Sequence, residues 1–246
     1  MLTSVIVPTF NQNPAFLRAA IASVMAQDTA VQLVVVDDGS VPTQQAICEA
    51  AIDGHPNSKE SVYIYQVNSG VAAALNAGIK QAKGEYIQWL SSDDLLLPSR
   101  SRVQIAAMQE AQSLVSYCGY EDGIPQVINT YPAAQYPSQE ALFNALRRQC
   151  FINACTVIWH RDVFEQVGYF DTRLRHAQDY GFLLACAEKF NFLAVNELLV
   201  RRRPHAGQMS QTLHDPAELG TKQNDLQILR ERFGTSAGVY VPPVLA

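Results

Sequence analysis

Two adjacent acid pairs stand out as groups able to do chemistry. Asp37-Asp38 follows the apolar run Gln32–Val36, and Asp93-Asp94 follows the run Glu85–Leu90 by way of Ser91-Ser92. Neighbouring carboxylates repel, and the usual resolution is a shared proton or a cation. A hard divalent ion, Mg2+ or Mn2+, suits such oxygen ligands and often bridges them to substrate phosphates. A single Asp after a strand is an ordinary turn former or helix cap; two pairs at equivalent places ask for more. Neither GxxxxGK[ST] nor GxGxxG occurs, so phosphate-loop hydrolysis and dinucleotide binding lose support. Asp179 adds a carboxylate far along the chain, where it heads a helix-like stretch. That is also the place of an N-cap, and both readings can hold together. His205 follows Arg201-Arg202-Arg203, either an anion-facing segment or a solvated basic run.

These groups need elements to hold them. Ser4–Val7 reads as a buried strand ended by Pro8. Asn13-Pro14 then opens a helix with Leu17, Ile21 and Val24 on one face. Gln32–Val36 is a second strand, followed by a helix over Thr43–Ile52. A third strand over Val62–Val67 precedes a helix over Val71–Lys83 that stops at Gly84. Glu85–Leu90 is a fourth strand, Pro98 opens a helix, and Leu114–Cys118 is a fifth strand. This β-α-β-α series predicts an α/β fold with a mostly parallel central sheet and helices on both faces. Residues 120–137 carry Pro125, Pro132 and Pro137 and read as a loop, either a lid over a ligand or passive surface. Beyond it come a helix capped by Ser138, a strand over Thr156–Trp159 and a short helix over Asp162–Val167. Helices from Asp179 and over Asp215–Phe233 flank a strand over Leu198–Arg202. Trp89 reads as packing, and Trp159 as packing or as an aromatic wall for a sugar ring.

In open α/β sheets, ligands bind beyond the carboxyl ends of the strands. Those ends read Pro8-Thr9-Phe10-Asn11, Asp37-Asp38-Gly39-Ser40, Asn68-Ser69-Gly70 and Ser91-Ser92-Asp93-Asp94. Taken with Asn76-x-Gly78, Gly84-Glu85-Tyr86-Ile87, Val167-Gly168-Tyr169-Phe170-Asp171, Gln178-Asp179-Tyr180 and Arg203-Pro204-His205-x-x-x-x-Ser210, the series resembles the family 2 glycosyltransferases of GT-A fold, over nearly the whole chain.

The resemblance implies inverting transfer of a sugar from a nucleotide-diphosphate sugar, with UDP the expected nucleotide and a divalent cation, Mg2+ or Mn2+, on the diphosphate. It implies a nucleotide site built from Thr9, Asn11, Asp37, Asp38, Asn68, Gly70, Asn76, Ser91 and Ser92. Thr9 and Asp38 would lie against the base and Asp37 near the nucleoside. Asp93 would hold the metal with Asp94 beside it, His205 would help bind the diphosphate or the metal, and Asp179 would be the general base. Ser91 stands where the family's metal motif has its first acid, and Gln178 where a Glu often precedes the base. The acceptor implied is a carbohydrate or a lipid-linked glycan. Two other readings stay open: a non-catalytic nucleotide-sugar-binding protein of the same fold, and a nucleotidyltransferase.

Composition narrows the field further. The chain has 246 residues, 48% of them hydrophobic and 17% charged, which excludes a disordered protein. The expectation is one domain over 1–246, with a nucleotide-sugar half at 1–119 and an acceptor half with the closing helix at 120–246. Net charge is −5, so nucleic acid is not the expected partner. Five scattered cysteines form no CxxC pair, which argues for a reduced, cytoplasmic setting. No apolar run is long enough to span a membrane; peripheral membrane contact stays open.

Overall fold

β1 (Thr3–Thr9) and β2 (Val31–Asp37) are buried along their full length, as strands covered on both faces must be. Alternation then sends successive side chains to opposite sides. Val5, Val7, Leu33 and Val35 join Leu17, Ile21 and Val24 of α1 (Pro14–Met25) and Ile52 of α2 (Pro42–Asp53). Ile6, Val34 and Val36 instead join Leu75 and Ile79 of α3 (Val71–Gln81). The sheet therefore carries helices on both faces. The computed structural model describes residues 2–53, 60–124, 127–205, 208 and 216–236.

β3 (Val62–Tyr65) and β4 (Tyr86–Trp89) complete a parallel set in the order β3-β2-β1-β4. Past β4 the sheet becomes mixed. β8 (Val157–His160) pairs antiparallel with β4 and with β6 (Val115–Ile124), and β6 runs parallel to β9 (Leu193–Arg202). β5 (Leu95–Leu96) closes the far edge on β9, and β7 (Val127–Tyr131) pairs with β6. α4 (Arg100–Glu110) is tied under the sheet by Arg100, which is fully buried and donates to Gln88 Oε1 at 2.7 Å and to the Val157 carbonyl at 3.1 Å. α5 (Gln139–Arg148), α6 (Asp162–Val167), α7 (Gln178–Ala187) and α8 (Pro216–Phe233) follow. Leu142 and Leu146 of α5, Val163 and Phe164 of α6, Phe182–Ala187 of α7 and Leu229 of α8 join the core on the α3 face.

Two expectations are corrected here. Residues 120–137 are not simply a loop: β6 continues to Ile124 and returns as β7, with Tyr120 stacked on Tyr131 at 4.6 Å. Pro125 lies outside the described residues. β9 begins at Leu193 rather than Leu198, with a register irregularity opposite Gly119. Trp159 lies in the core, 1% exposed, at 5.8 Å from the ring of Phe182, and does not line the cavity described below. Ser210, Asp215 and His214 fall outside the described residues.

Candidate active site

The carboxyl ends of β1, β2 and β4 open into one cavity of about 780 Å3, within the roughly 300–1,000 Å3 of small-molecule sites. The first half supplies Thr9, Asp38, Asn68, Gly70 and the turn Ser91–Asp94; the second supplies Asn153, His176, Gln178, Asp179 and Asp225.

At the β1–β3 end, acids mainly shape backbone. Asp38 accepts from Gln66 Nε2 at 2.7 Å and from the amides of Ser69 and Gly70 at 2.8 Å each. Gly70 is the N-cap of α3 and brings no side chain, so Asp38 caps that helix from another strand. Gly39 has φ +91°, and a Cβ there would lie 2.8 Å from the Asn68 nitrogen; only glycine lets the two turns meet. The Thr9 hydroxyl is buried against the cavity with no partner among the described residues, so it is free to bond a ligand. Phe10, half exposed, offers an aromatic face beside it.

Three of the expected nucleotide residues do not reach the cavity. Asp37 is fully buried; it accepts from the Ser40 amide at 2.8 Å and from Tyr63 Oη at 3.0 Å. Asn11 accepts from the Val41 amide at 3.0 Å, and its own amide donates to Ser40 Oγ at 2.9 Å. Asn76 clips α3 to the loop before α7, donating to the Phe170 carbonyl at 2.9 Å and accepting from its amide at 3.0 Å. These side chains hold the walls.

Ser91 to Asp94 form a tight turn, closed by the Asp94 amide on the Ser91 carbonyl at 3.1 Å. The turn separates its two acids. Asp93 faces the cavity, and its Oδ2 lies 3.0 Å from His205 Nε2 and 3.3 Å from Gln208 Nε2. Asp94 points inward, 3% exposed, and accepts from the Arg203 amide at 3.1 Å. Burial, then the Asp93 charge, lifts its carboxyl well above the usual range. Arg203 stacks on Phe16 at 4.7 Å and donates to its carbonyl, which draws His205 onto the turn. Within the arginine run, the half-exposed Arg201 pairs with Glu121, and Arg202, which lines the cavity, pairs with Asp122. Ser91 contacts the Cys155 sulfur at 3.3 Å through both amide and hydroxyl. Ser92 lines the cavity and accepts from Gln12 at 3.2 Å.

Among the described residues, no three His, Cys, Asp or Glu side chains form a metal cluster. The donors beside Asp93 nevertheless fit a divalent cation. Mg2+ commonly takes one or two protein ligands and completes its shell with phosphates and water. The buried Gln208 Oε1 also has no partner among the described residues, leaving an oxygen ligand to spare.

Asp179 is the second residue of α7, not its N-cap; that place belongs to Ala177. Its Oδ1 accepts from the Tyr180 amide at 2.7 Å, and burial pushes its carboxyl up to about 6. Sequence reasoning assigned nothing to His176 and did not single out Asp225, yet both line the cavity beside it. Neither stands in a recognisable spacing, so no local signal marked them.

The family model described as Glycosyl transferase family 2 matches residues 4–168, more than half of the chain. The chain belongs to glycosyl transferase family 2. It is 30% identical over 220 residues to an uncharacterized glycosyltransferase of Rickettsia prowazekii, covering 86% of this chain and 66% of that one. It is 28% identical to the Escherichia coli UDP-Glc:alpha-D-GlcNAc-diphosphoundecaprenol beta-1,3-glucosyltransferase WfgD, covering 79% of this chain and 73% of that one. In fold it is similar to S. aureus TarS 1-349, solved with UDP-GlcNAc, with TM-score 0.68, 20% identity, and 95% and 73% of the two chains covered. The central sheet with flanking helices is thus that of a GT-A glycosyltransferase. The chain spans 66% of the length of two Rickettsia relatives and 31–36% of three more. The family match ends before α7, so this family 2 chain carries Asp179 and His205 outside the matched region.

Proposed function

We propose that this chain transfers a sugar from a UDP-sugar to an acceptor hydroxyl with inversion, using a divalent cation at Asp93 and Asp179 as general base. The observation that carries the reading is one cavity lined both by the Asp93 turn and by a carboxyl raised to about 6 at the head of α7. A base works best with a pKa near the operating pH. Thr9, Phe10 and Asn68 line the end suited to the nucleoside. Asp93, with His205 and Gln208, would hold Mg2+ or Mn2+. Once bound, that ion supplies charge neutralisation for the departing diphosphate. Asp179 takes the proton of the acceptor hydroxyl as its oxygen bonds to the anomeric carbon and the bond to the UDP oxygen breaks. Attack opposite the leaving group inverts that carbon.

The UDP-Glc donor in the name of the E. coli relative and the UDP-GlcNAc of the TarS complex support UDP. The same relative's diphosphoundecaprenol acceptor supports a lipid-linked glycan as one acceptor class, carbohydrate being the other. No helix among the described residues is long and apolar enough to cross a membrane; a cytoplasmic setting with peripheral membrane contact accords with such an acceptor. Calorimetry with UDP, GDP and dTDP, with and without Mn2+, tests the donor side. UDP binding strengthened by Mn2+ is expected, and binding of none of the three removes the reading. Nucleotide-sugar binding without release of UDP would favour a non-catalytic binder. Release of pyrophosphate from a nucleoside triphosphate would favour a nucleotidyltransferase.

A further inference from the structure

α7 opens on the cavity without a cap of its own. Its N-cap residue is Ala177, which has no side-chain acceptor. An uncapped helix start leaves amides without partners, a costly arrangement where water is excluded. Here α8 supplies an acceptor for the amides of the N-cap residue and of the residue before it, while the first-turn amide of Tyr180 is taken by Asp179. One oxygen of Asp225, Oδ2, accepts from the His176 amide at 2.7 Å and from the Ala177 amide at 3.0 Å. Asp225 is 1% exposed, and its Oδ1 has no partner among the described residues. A buried carboxylate with one unused oxygen is unfavourable unless its charge serves a purpose, and a negative charge at a helix N-terminus is favourable. A second grip lies two turns earlier on the same face of α8. Glu218 Oε2 sits 2.6 Å from His176 Nε2, and positions i and i+7 share a face. Two acids of α8 thus hold the residues that lead into Gln178 and Asp179.

We propose that Asp225 is a positioning residue, which caps α7 from α8 and so keeps Asp179 facing the cavity. The proposal rests on the reading of Asp179 as the base. Asp179 sits one step inside the helix, where its own carboxylate takes the Tyr180 amide while Asp225 takes the two amides before the first turn.

The test compares Asp225→Ala, Asp225→Asn and Asp179→Asn in the full chain. Amide hydrogen exchange is followed residue by residue, UDP affinity by calorimetry, and UDP release from UDP-glucose and UDP-GlcNAc with water as acceptor. In Asp225→Ala, exchange at residues 176–181 should rise on the order of tenfold, the scale of losing a charged hydrogen bond. Strands β1 and β2 and the UDP affinity should be unaffected, and UDP release should fall by a similar factor. Asp225→Asn keeps an acceptor oxygen and should recover most of the protection. Wild-type exchange at 176–181 in Asp225→Ala overturns the proposal. So does a rise spread evenly over the chain, or an Asn variant as loose as the Ala variant. If Asp225→Ala does not fold, Asp225→Asn against Asp225→Glu decides: the extra methylene should move the oxygen off both amides, and equal protection in the two overturns the proposal. Asp179→Asn with wild-type UDP release would sink the base reading alone, leaving the cap to be judged by exchange, which needs no turnover.

Discussion

The two acids of each pair part ways because consecutive side chains point in different directions. Asp38 lines the cavity while Asp37 does not reach it; Asp93 and Asp94 both border it, but Asp94 is the more buried and is tied to the Arg203 amide. Asp93→Ala should therefore abolish the strengthening of UDP binding by Mn2+; calorimetry that finds the metal effect intact would refute the metal assignment. Asp179→Asn should keep donor binding and lose transfer, read as UDP release in the presence of an acceptor. The rate should also track the ionisation of Asp179. Its carboxyl titrates near 6, so transfer should fall as pH drops through that value and level off above it. The sign for stability is opposite. The folded value lies above the ordinary 3.8, so the fold holds this proton more tightly than the unfolded chain does. Its contribution is favourable at low pH and is lost as pH rises from about 4 to about 6. Asp179→Asn should accordingly raise the urea midpoint at neutral pH, the usual exchange of activity for stability. Which acid of a pair is the more buried is not legible in the sequence, since adjacency alone does not say which one the turn encloses.

Among the elements, the parallel half was legible because its strands are continuous apolar runs ended by turn residues, and its helices carry apolar faces of helical period. Gly78 shows how tightly they fit. A Cβ there would lie 2.5 Å from Ile6 Cγ2, so α3 rests directly on β1. Gly78→Val should cost roughly 1–3 kcal/mol by overpacking, measured by urea unfolding, and a neutral result would mean that α3 can shift outward freely. The β6–β7 hairpin carries the sequence pattern of a loop for a physical reason. Its first strand is held over Tyr120–Asp122 by β9, distant in sequence, and the prolines around it give the local pattern of a loop.

For the molecule as a whole, the cavity matters because both halves build it. Asn153, His176 and Asp179 come from the second half, while Thr9, Asp38 and Asp93 come from the first. A donor nucleotide should then stabilise the entire chain rather than one half. At a hundredfold excess over Kd, UDP with Mn2+ should contribute about 2.7 kcal/mol, or roughly 5–10 °C in Tm for a chain of this size. Scanning calorimetry should show a single transition moving upward; movement of one part only would mean that the halves are not joined through the site.

Residue type and order along the chain determined the strands of the first half, the strand-end acids and the family, because these depend on local periodicity and on motifs short enough to read. Tertiary structure decided the rest: that Asp37, Asn11 and Asn76 serve as ties, that the three arginines are paired or folded back, and that Asp225 reaches the head of α7. Each of those outcomes depends on a partner more than 25 residues away, or on the direction in which a turn points a side chain, and neither is encoded in a local pattern.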